Sequence, residues 1–112
     1  MELGGSAPGI VMADADIDEV LEAIYFYRFS NSGQMCDGLK RLIVHTSRYD
    51  EVVEKLSKLL MSKKIGDALD ESTDIGPLVS ESQVIHLEEQ YIDALASGAS
   101  VLAELPIPEH LE

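Results

Sequence analysis

The stretch Leu42-Ile43-Val44-His45-Thr46-Ser47-Arg48-Tyr49-Asp50-Glu51-Val52-Val53 changes its hydrophobic period halfway along, and that change decides the fold class. Leu42, Ile43 and Val44 form a continuous apolar run of the kind buried on both faces of a parallel sheet. Ser47 with Asp50 then supplies a helix-starting pair, and Val52, Val53, Leu56, Leu59 and Leu60 recur at helical spacing as one apolar stripe. The helix is predicted to end near Lys63-Lys64, whose cations suit the negative end of its dipole.

Working outward towards the N-terminus, residues 7–12 are a short apolar run after Gly4-Gly5. The run contains Pro8, so it reads as a brief strand with an irregular start. Asp16 with Glu19 resembles a capping box, and Ile17, Val20, Leu21 and Ile24 follow on one helical face. The acidic cluster Asp14, Asp16, Asp18 and Glu19 suits the positive end of that helix. It lacks the alternating ligands of a calcium loop. Between this helix and the Leu42 strand, Asn31-Ser32-Gly33-Gln34-Met35-Cys36-Asp37-Gly38 has no period and reads as a loop.

Towards the C-terminus, residues 66–77 are rich in turn formers and predict an irregular surface connection. Ser80 with Gln83 marks a third helix start. Val84, Leu87, Tyr91 and Leu95 line one face as far as a stop at Ser97-Gly98. Residues 99–103 predict a last short strand, which Pro106 and Pro108 prevent from continuing. Strands alternating with helices define an α/β chain: a partial parallel sheet with helices packed on it and right-handed crossovers. The 112 residues, 46% of them hydrophobic, suffice for one compact unit over residues 1–105, followed by a tail at 106–112.

Charge and cysteine usage narrow the function classes. Twenty-one acidic residues against eight basic ones give a net charge of -13, which repels nucleic acid phosphates and anionic lipid, so neither nucleic acid nor membrane is expected as a partner. The sequence lacks an apolar run of the roughly 18 to 20 residues that a membrane span needs and the pattern of a signal peptide, which predicts a cytoplasmic location. Cys36 is the only cysteine, so any chemistry it does is that of a single thiol. Its place in a glycine-containing loop between a helix and a buried strand is one where nucleophiles are displayed, although a lone cysteine is also commonly an inert buried side chain. His45, His86 and His110 read as surface or structural residues, and their spacing assigns none of them to Cys36.

Five ordered motifs add to this reading. They are Glu2-Leu3-Gly4-Gly5-Ser6-Ala7-Pro8, Ala13-Asp14-Ala15-Asp16-Ile17-Asp18, Phe29-Ser30-Asn31-Ser32-Gly33-Gln34-Met35-Cys36 followed by Arg41, Gly66-Asp67-Ala68-Leu69, and Thr73-Asp74-Ile75-Gly76-Pro77-Leu78. In order and spacing the chain resembles an internal, truncated segment of the catalytic domain of the aldehyde dehydrogenase superfamily. The resemblance implies that Cys36 is the catalytic nucleophile, attacking an aldehyde to give a thiohemiacetal and, after hydride transfer, a thioester. It implies that Glu2 is the general base that activates the deacylating water. It gives the Cys36 backbone N–H half of an oxyanion hole, and it places Leu3 next to the cofactor. The cofactor of the complete enzyme is then NAD or NADP, its substrate an aldehyde, and its assembly a homo-oligomer; no metal is implied. No dinucleotide-binding glycine motif accompanies these residues, so no cofactor is expected to bind the isolated chain, and a non-catalytic folded remnant is the alternative function. Arg41 is expected in a structural ion pair and Asn31 in a loop-fixing hydrogen bond. Ser6 and Asp37 depart from the family pattern. Chain adjacency predicts that the Asp37 carboxylate lies beside the Cys36 sulfur and opposes its ionisation.

Overall fold

A computed structural model describes residues 4–108. Two strands, β1 (Ala7–Val11) and β2 (Leu39–Val44), pair in parallel, and helix α1 (Ile17–Phe29) joins them. Helix α2 (Tyr49–Met61) follows β2, and helix α3 (Glu81–Ala96) follows a long connection. The register runs Gly9↔Leu42, Ile10↔Ile43 and Val11↔Val44, with an irregularity at its start, where Ala7 faces Leu39 but Pro8 faces Arg41. Proline has no N–H to give the ladder, and the skipped residue, Lys40, is the extra one of a bulge.

Asp16 starts α1 as its sequence predicts: Oδ1 accepts from the backbone N–H groups of Asp18 at 3.0 Å and Glu19 at 3.3 Å. The start of α2 differs. A 3-10 turn over Thr46–Arg48 precedes it, and the cap is the His45 ring, whose Nδ1 accepts from the Ser47 N–H at 3.2 Å. Ser47 is therefore the capped residue rather than the cap. At α3 the Ser80 side chain makes no capping bond and its hydroxyl instead lies 2.9 Å from that of Ser82.

The core is small. Val11, Ile17 and Val52 are buried, with Ala15, Ile24, Leu42 and Val44 packed around them, so one face of the sheet closes against α1 and α2. Lys55 reinforces the helix pair through Asp18 at 2.6 Å, and the Lys63 ammonium sits 4.4 Å above the Tyr25 ring. Burial on both faces, expected for Leu42-Ile43-Val44, does not occur. Ile10 and Ile43 face each other in register on the open side, 65% and 53% exposed. The last predicted strand is absent too. Residues 99–103 carry no regular structure, because the described chain offers them no strand to pair with, and Val101 and Leu102 stay exposed. The stripe Val84, Leu87, Tyr91 and Leu95 exists on α3 but is exposed along its length. An apolar gap of 480 Å³, lined by Val53, Leu56, Tyr91 and Leu95 among others, separates it from α2.

The connection over residues 66–77 is irregular, as its composition predicts, yet it is closed at the base. Ile65 and Ile75 form a parallel bridge, and Gly66 N–H donates to the Ile75 carbonyl at 3.1 Å. Lys64 spans the loop, its N–H donating to Asp74 at 2.8 Å and its ammonium reaching Asp70 at 2.9 Å.

A thiol at the leading edge of the sheet

Cys36 is exposed, on the loop that leads from α1 into β2. The loop opens with a tight turn over Ser30–Gly33 in which Asn31, Ser32 and Gly33 all take left-handed backbone angles, with φ of 51°, 57° and 75°. Only glycine does so without a Cβ clash, and each L-residue there costs about 1–2 kcal/mol. The cost persists because several bonds hold the turn. Gln34 Nε2 donates to the Asn31 carbonyl at 3.0 Å, Lys40 Nζ to the Gly33 carbonyl at 3.0 Å, and Ser32 Oγ to the Gly76 carbonyl at 2.8 Å. Gln34 Oε1 accepts from the Val79 N–H at 2.8 Å. The last two bonds join the thiol loop to the segment ahead of α3. Asn31 fixes the loop as expected, its Nδ2 donating to the Gln34 carbonyl at 3.4 Å.

Parallel pairing brings the residues that precede each strand together, and here those are Gly4-Gly5 and Cys36. A Cβ on Gly5 would come within 1.9 Å of the Cys36 carbonyl oxygen, so only glycine fits. Gly4, at φ +77°, needs the left-handed region. Arg41 Nη2 ties the same edge together by donating to the Ser6 carbonyl at 2.9 Å. That corrects the expected ion pair: among the described residues Arg41 meets a backbone dipole and no carboxylate.

A cavity of about 580 Å³ opens at this edge. Gly4, Gly5 and Cys36 line it from the sheet, Arg28 and Lys40 from beside the turn, and Leu78, Gln83 and His86 from the α3 side. Asp37, expected beside the sulfur, lines a different cavity from the one Cys36 lines, together with Tyr27 and Leu39. Glu2 and Leu3, expected as base and cofactor neighbour, lie outside the described residues; Gly4, the next in sequence, is on the cavity wall. His45 serves as a cap and His86 pairs with Gln90 at 2.9 Å, while His110 also lies outside the described residues. Sequence reading passed over Arg28, Lys40 and Gln34. Pro8 was the available signal for Lys40, since a residue without an N–H invites a bulge opposite it.

Among the described residues no three His, Cys, Asp or Glu side chains are grouped to hold a metal, and no helix is long and apolar enough to cross a membrane. What remains is an exposed cysteine at the leading edge of a parallel pair, its backbone carbonyl pressed by a glycine main chain, in an open cavity. The family model described as "Aldehyde dehydrogenase family" matches residues 1–110, and the chain belongs to that family. It is 45% identical over 101 residues to a succinate-semialdehyde dehydrogenase [NADP(+)] of Mycobacterium avium (strain 104), covering 90% of this chain and 21% of that protein. It is 40% identical over 103 residues to the glutarate-semialdehyde dehydrogenase of Pseudomonas putida, covering 92% and 22%. The solved structure of an E. coli NADP-dependent enzyme superposes with a TM-score of 0.90 at 42% identity, over 97% of this chain and 23% of that one. The chain thus spans about a fifth of the length of the relatives it matches, as an α/β piece of their fold.

Proposed function

We propose that this chain supplies the nucleophile and the general base of an NAD(P)-dependent aldehyde dehydrogenase, Cys36 and Glu2 carrying those roles within residues 1–105. The observation that supports the reading is the approach of the Gly5 main chain to the Cys36 backbone, with Gly4, Gly5 and Cys36 on the wall of one cavity; Glu2 and Leu3 directly precede Gly4 in the sequence. Cys36 Sγ attacks the aldehyde carbon and forms the carbon–sulfur bond, and the oxygen takes up negative charge. Among the described residues the Cys36 N–H donates to no backbone acceptor, so it remains available to that oxygen. When bound, a nicotinamide would supply the hydride acceptor that the step from adduct to thioester needs. The residues present fit only that end of a dinucleotide: a Cβ on Gly4 would meet nothing within 4 Å, which leaves open space there, with Leu3 adjacent in the chain. Glu2 takes a proton from water as the water attacks the thioester, releasing the carboxylic acid and the Cys36 thiol.

The relatives' names point to aldehydes bearing a carboxylate and to NADP, and we carry both over as the preferred substrate class and cofactor. Activity belongs to the complete catalytic domain, a soluble cytoplasmic homo-oligomer in this reading. The test is pre-steady-state kinetics on a full-length protein containing this segment. Cys36→Ala should abolish cofactor reduction. Glu2→Gln should leave a single burst and stall at the thioester, detectable as an acyl adduct on Cys36. A burst that survives Cys36→Ala would refute the assignment.

A further inference from the structure

After Ala7 and Leu39, a regular ladder would set Pro8 opposite Lys40, yet Pro8 faces Arg41. Pro8 has no N–H to give at that step, so the register skips Lys40 and leaves it as the bulge residue, and bulges re-aim side chains. A surface lysine ordinarily extends its ammonium into water. This one is half-buried and folds back along its own loop. Its Nζ lies 3.5 Å from where a Cβ on Gly38 would be and donates to the Gly33 carbonyl at 3.0 Å.

That bond closes the segment that carries the thiol. Residues 34–38 run from the left-handed turn at Asn31-Ser32-Gly33 to the start of β2, with Cys36 at their centre. Inside the segment the Gly38 N–H donates to the Met35 carbonyl at 3.2 Å. Asn31 and Gln34 bond to each other, and Ser32 and Gln34 reach out to the chain ahead of α3, so none of these side chains meets β2. Among the described residues, the bond from Lys40 to Gly33 is the one side-chain hydrogen bond between the turn and β2. Asn31 and Ser32 hold costly left-handed angles, which persist only where surrounding contacts enforce them. Without the brace the turn can relax while the strands stay paired, and Cys36 moves with it. The strand pair thus sets the place of the thiol loop through a run of contacts from Pro8 to Lys40 to Gly33.

We infer that Lys40 is a positioning residue for Cys36: bracing Gly33 from the bulge opposite Pro8, it fixes where the sulfur stands when it attacks the aldehyde carbon. The inference rests on the reading of Cys36 as the nucleophile. Lys40 acts through the loop and needs no bond to substrate or cofactor. Displacing a reacting atom by about 1 Å is enough to slow attack about a hundredfold.

The rate of the first cofactor reduction, measured by stopped flow on a full-length protein containing this segment, tests it. Lys40→Met keeps the apolar stem and removes the donor. It should slow that step at saturating aldehyde by about ten- to a hundredfold while changing the KM for aldehyde by less than about threefold, with circular dichroism unaltered. Lys40→Arg, which keeps a cationic donor, should recover most of the lost rate. Pro8→Ala returns an N–H to the ladder and should slow the step in the same way. The double variant Pro8→Ala with Lys40→Met should be no slower than the slower single one, because both break one run of contacts. An unchanged rate in Lys40→Met, a loss confined to KM, equal losses in the Met and Arg variants, or fully additive losses in the double variant each overturn the inference. If Lys40→Met does not fold, Lys40→Gln decides by the same comparison. Unfolding of both shows that Lys40 holds the strand pair rather than the loop, which also overturns it. Reduction that survives Cys36→Ala removes the nucleophile reading itself, whereas reduction abolished by Cys36→Ala but unchanged in Lys40→Met removes only the positioning role.

Discussion

The carbonyl oxygen of Cys36 fills the space that a Cβ on Gly5 would need, 1.9 Å from that ideal position. Gly5→Ala must therefore move backbone, on one side or the other. We expect a loss of about 1–3 kcal/mol, the usual range for overpacking, seen as a lower urea midpoint, together with a changed alkylation rate at Cys36. Gly4→Ala is the control. It meets no atom within 4 Å but keeps φ at +77°, so it should cost about 1–2 kcal/mol for the left-handed backbone and leave labelling of Cys36 nearly unchanged. A larger labelling change in the Gly4 variant would contradict the contact argument.

Two hydrogen bonds tie the thiol loop to the chain ahead of α3. Ser32→Ala removes the bond to the Gly76 carbonyl and Gln34→Ala removes the one from the Val79 N–H. Each should cost about 1 kcal/mol, concentrated in the tether between the loop and α3. Limited proteolysis should then cut between residues 76 and 80 faster than in the unaltered chain, with the cut rates in α2 unaffected. Equal acceleration in α2 would show that the bonds hold the whole fold rather than the tether.

These bonds also mark where sequence reading stopped. Short-range chemistry was legible: Asp16 caps α1, Pro8 disturbs the start of β1, and the connection over residues 66–77, rich in turn formers, is irregular, because each depends on neighbours within a few residues. Ser47 and Ser80 failed as caps because a competing group lies two residues away, the His45 ring for one and the Ser82 hydroxyl for the other. Burial was harder. An apolar run states that a partner surface exists but not that the described chain contains it, so Ile43, Leu102 and the α3 stripe read as buried and stand exposed. Among the candidate residues, Cys36 and Glu2 were read from motif order. Arg28 and Lys40 needed the register and the turn geometry, which composition does not reveal.

Acid should loosen the connection between α2 and α3. The Lys64 ammonium beside Asp70, with the Ser72 hydroxyl and N–H, holds the Asp70 carboxyl well below the usual carboxylate range. A carboxyl lowered on folding contributes stability above its unfolded value of about 4 and loses it as pH falls towards the lower folded one. The clasp should thus be intact at neutral pH and weaken only below about pH 4. Because both partners are solvent-accessible, salt should weaken it as well. The Thr73 amide, bonded to the Asp70 carbonyl at 2.9 Å, reports on it by hydrogen exchange. Asp70→Asn should raise that exchange at neutral pH and remove its acid dependence. An unaltered profile would assign the protection to the backbone bridge alone.

The isolated chain should self-associate. The open sheet face at Ile10 and Ile43 and the apolar stripe on α3 leave two stretches of hydrophobic surface uncovered, and each strand of the two-stranded sheet keeps a free edge. The charge of -13 should restrict association to small oligomers and make it stronger in salt, the reverse of the expectation for ion-paired contacts. Sedimentation at two salt concentrations checks this, and Ile10→Lys with Ile43→Glu should return the chain to a monomer. A monomer at high concentration and high salt would count against it.

The parallel pairing of β1 with β2 also sets when the site comes into being. Gly5 and Cys36 meet only once the chain has closed a loop through the whole of α1, a sequence-distant contact whose entropy must be met before any local reward. Helices can flicker into place early without it. The thiol's surroundings therefore arise at the step that docks the strands, and they vanish whenever that docking opens. During refolding, labelling of Cys36 would act as a clock for strand docking, keeping the unfolded rate until the two strands join and then changing in a single phase.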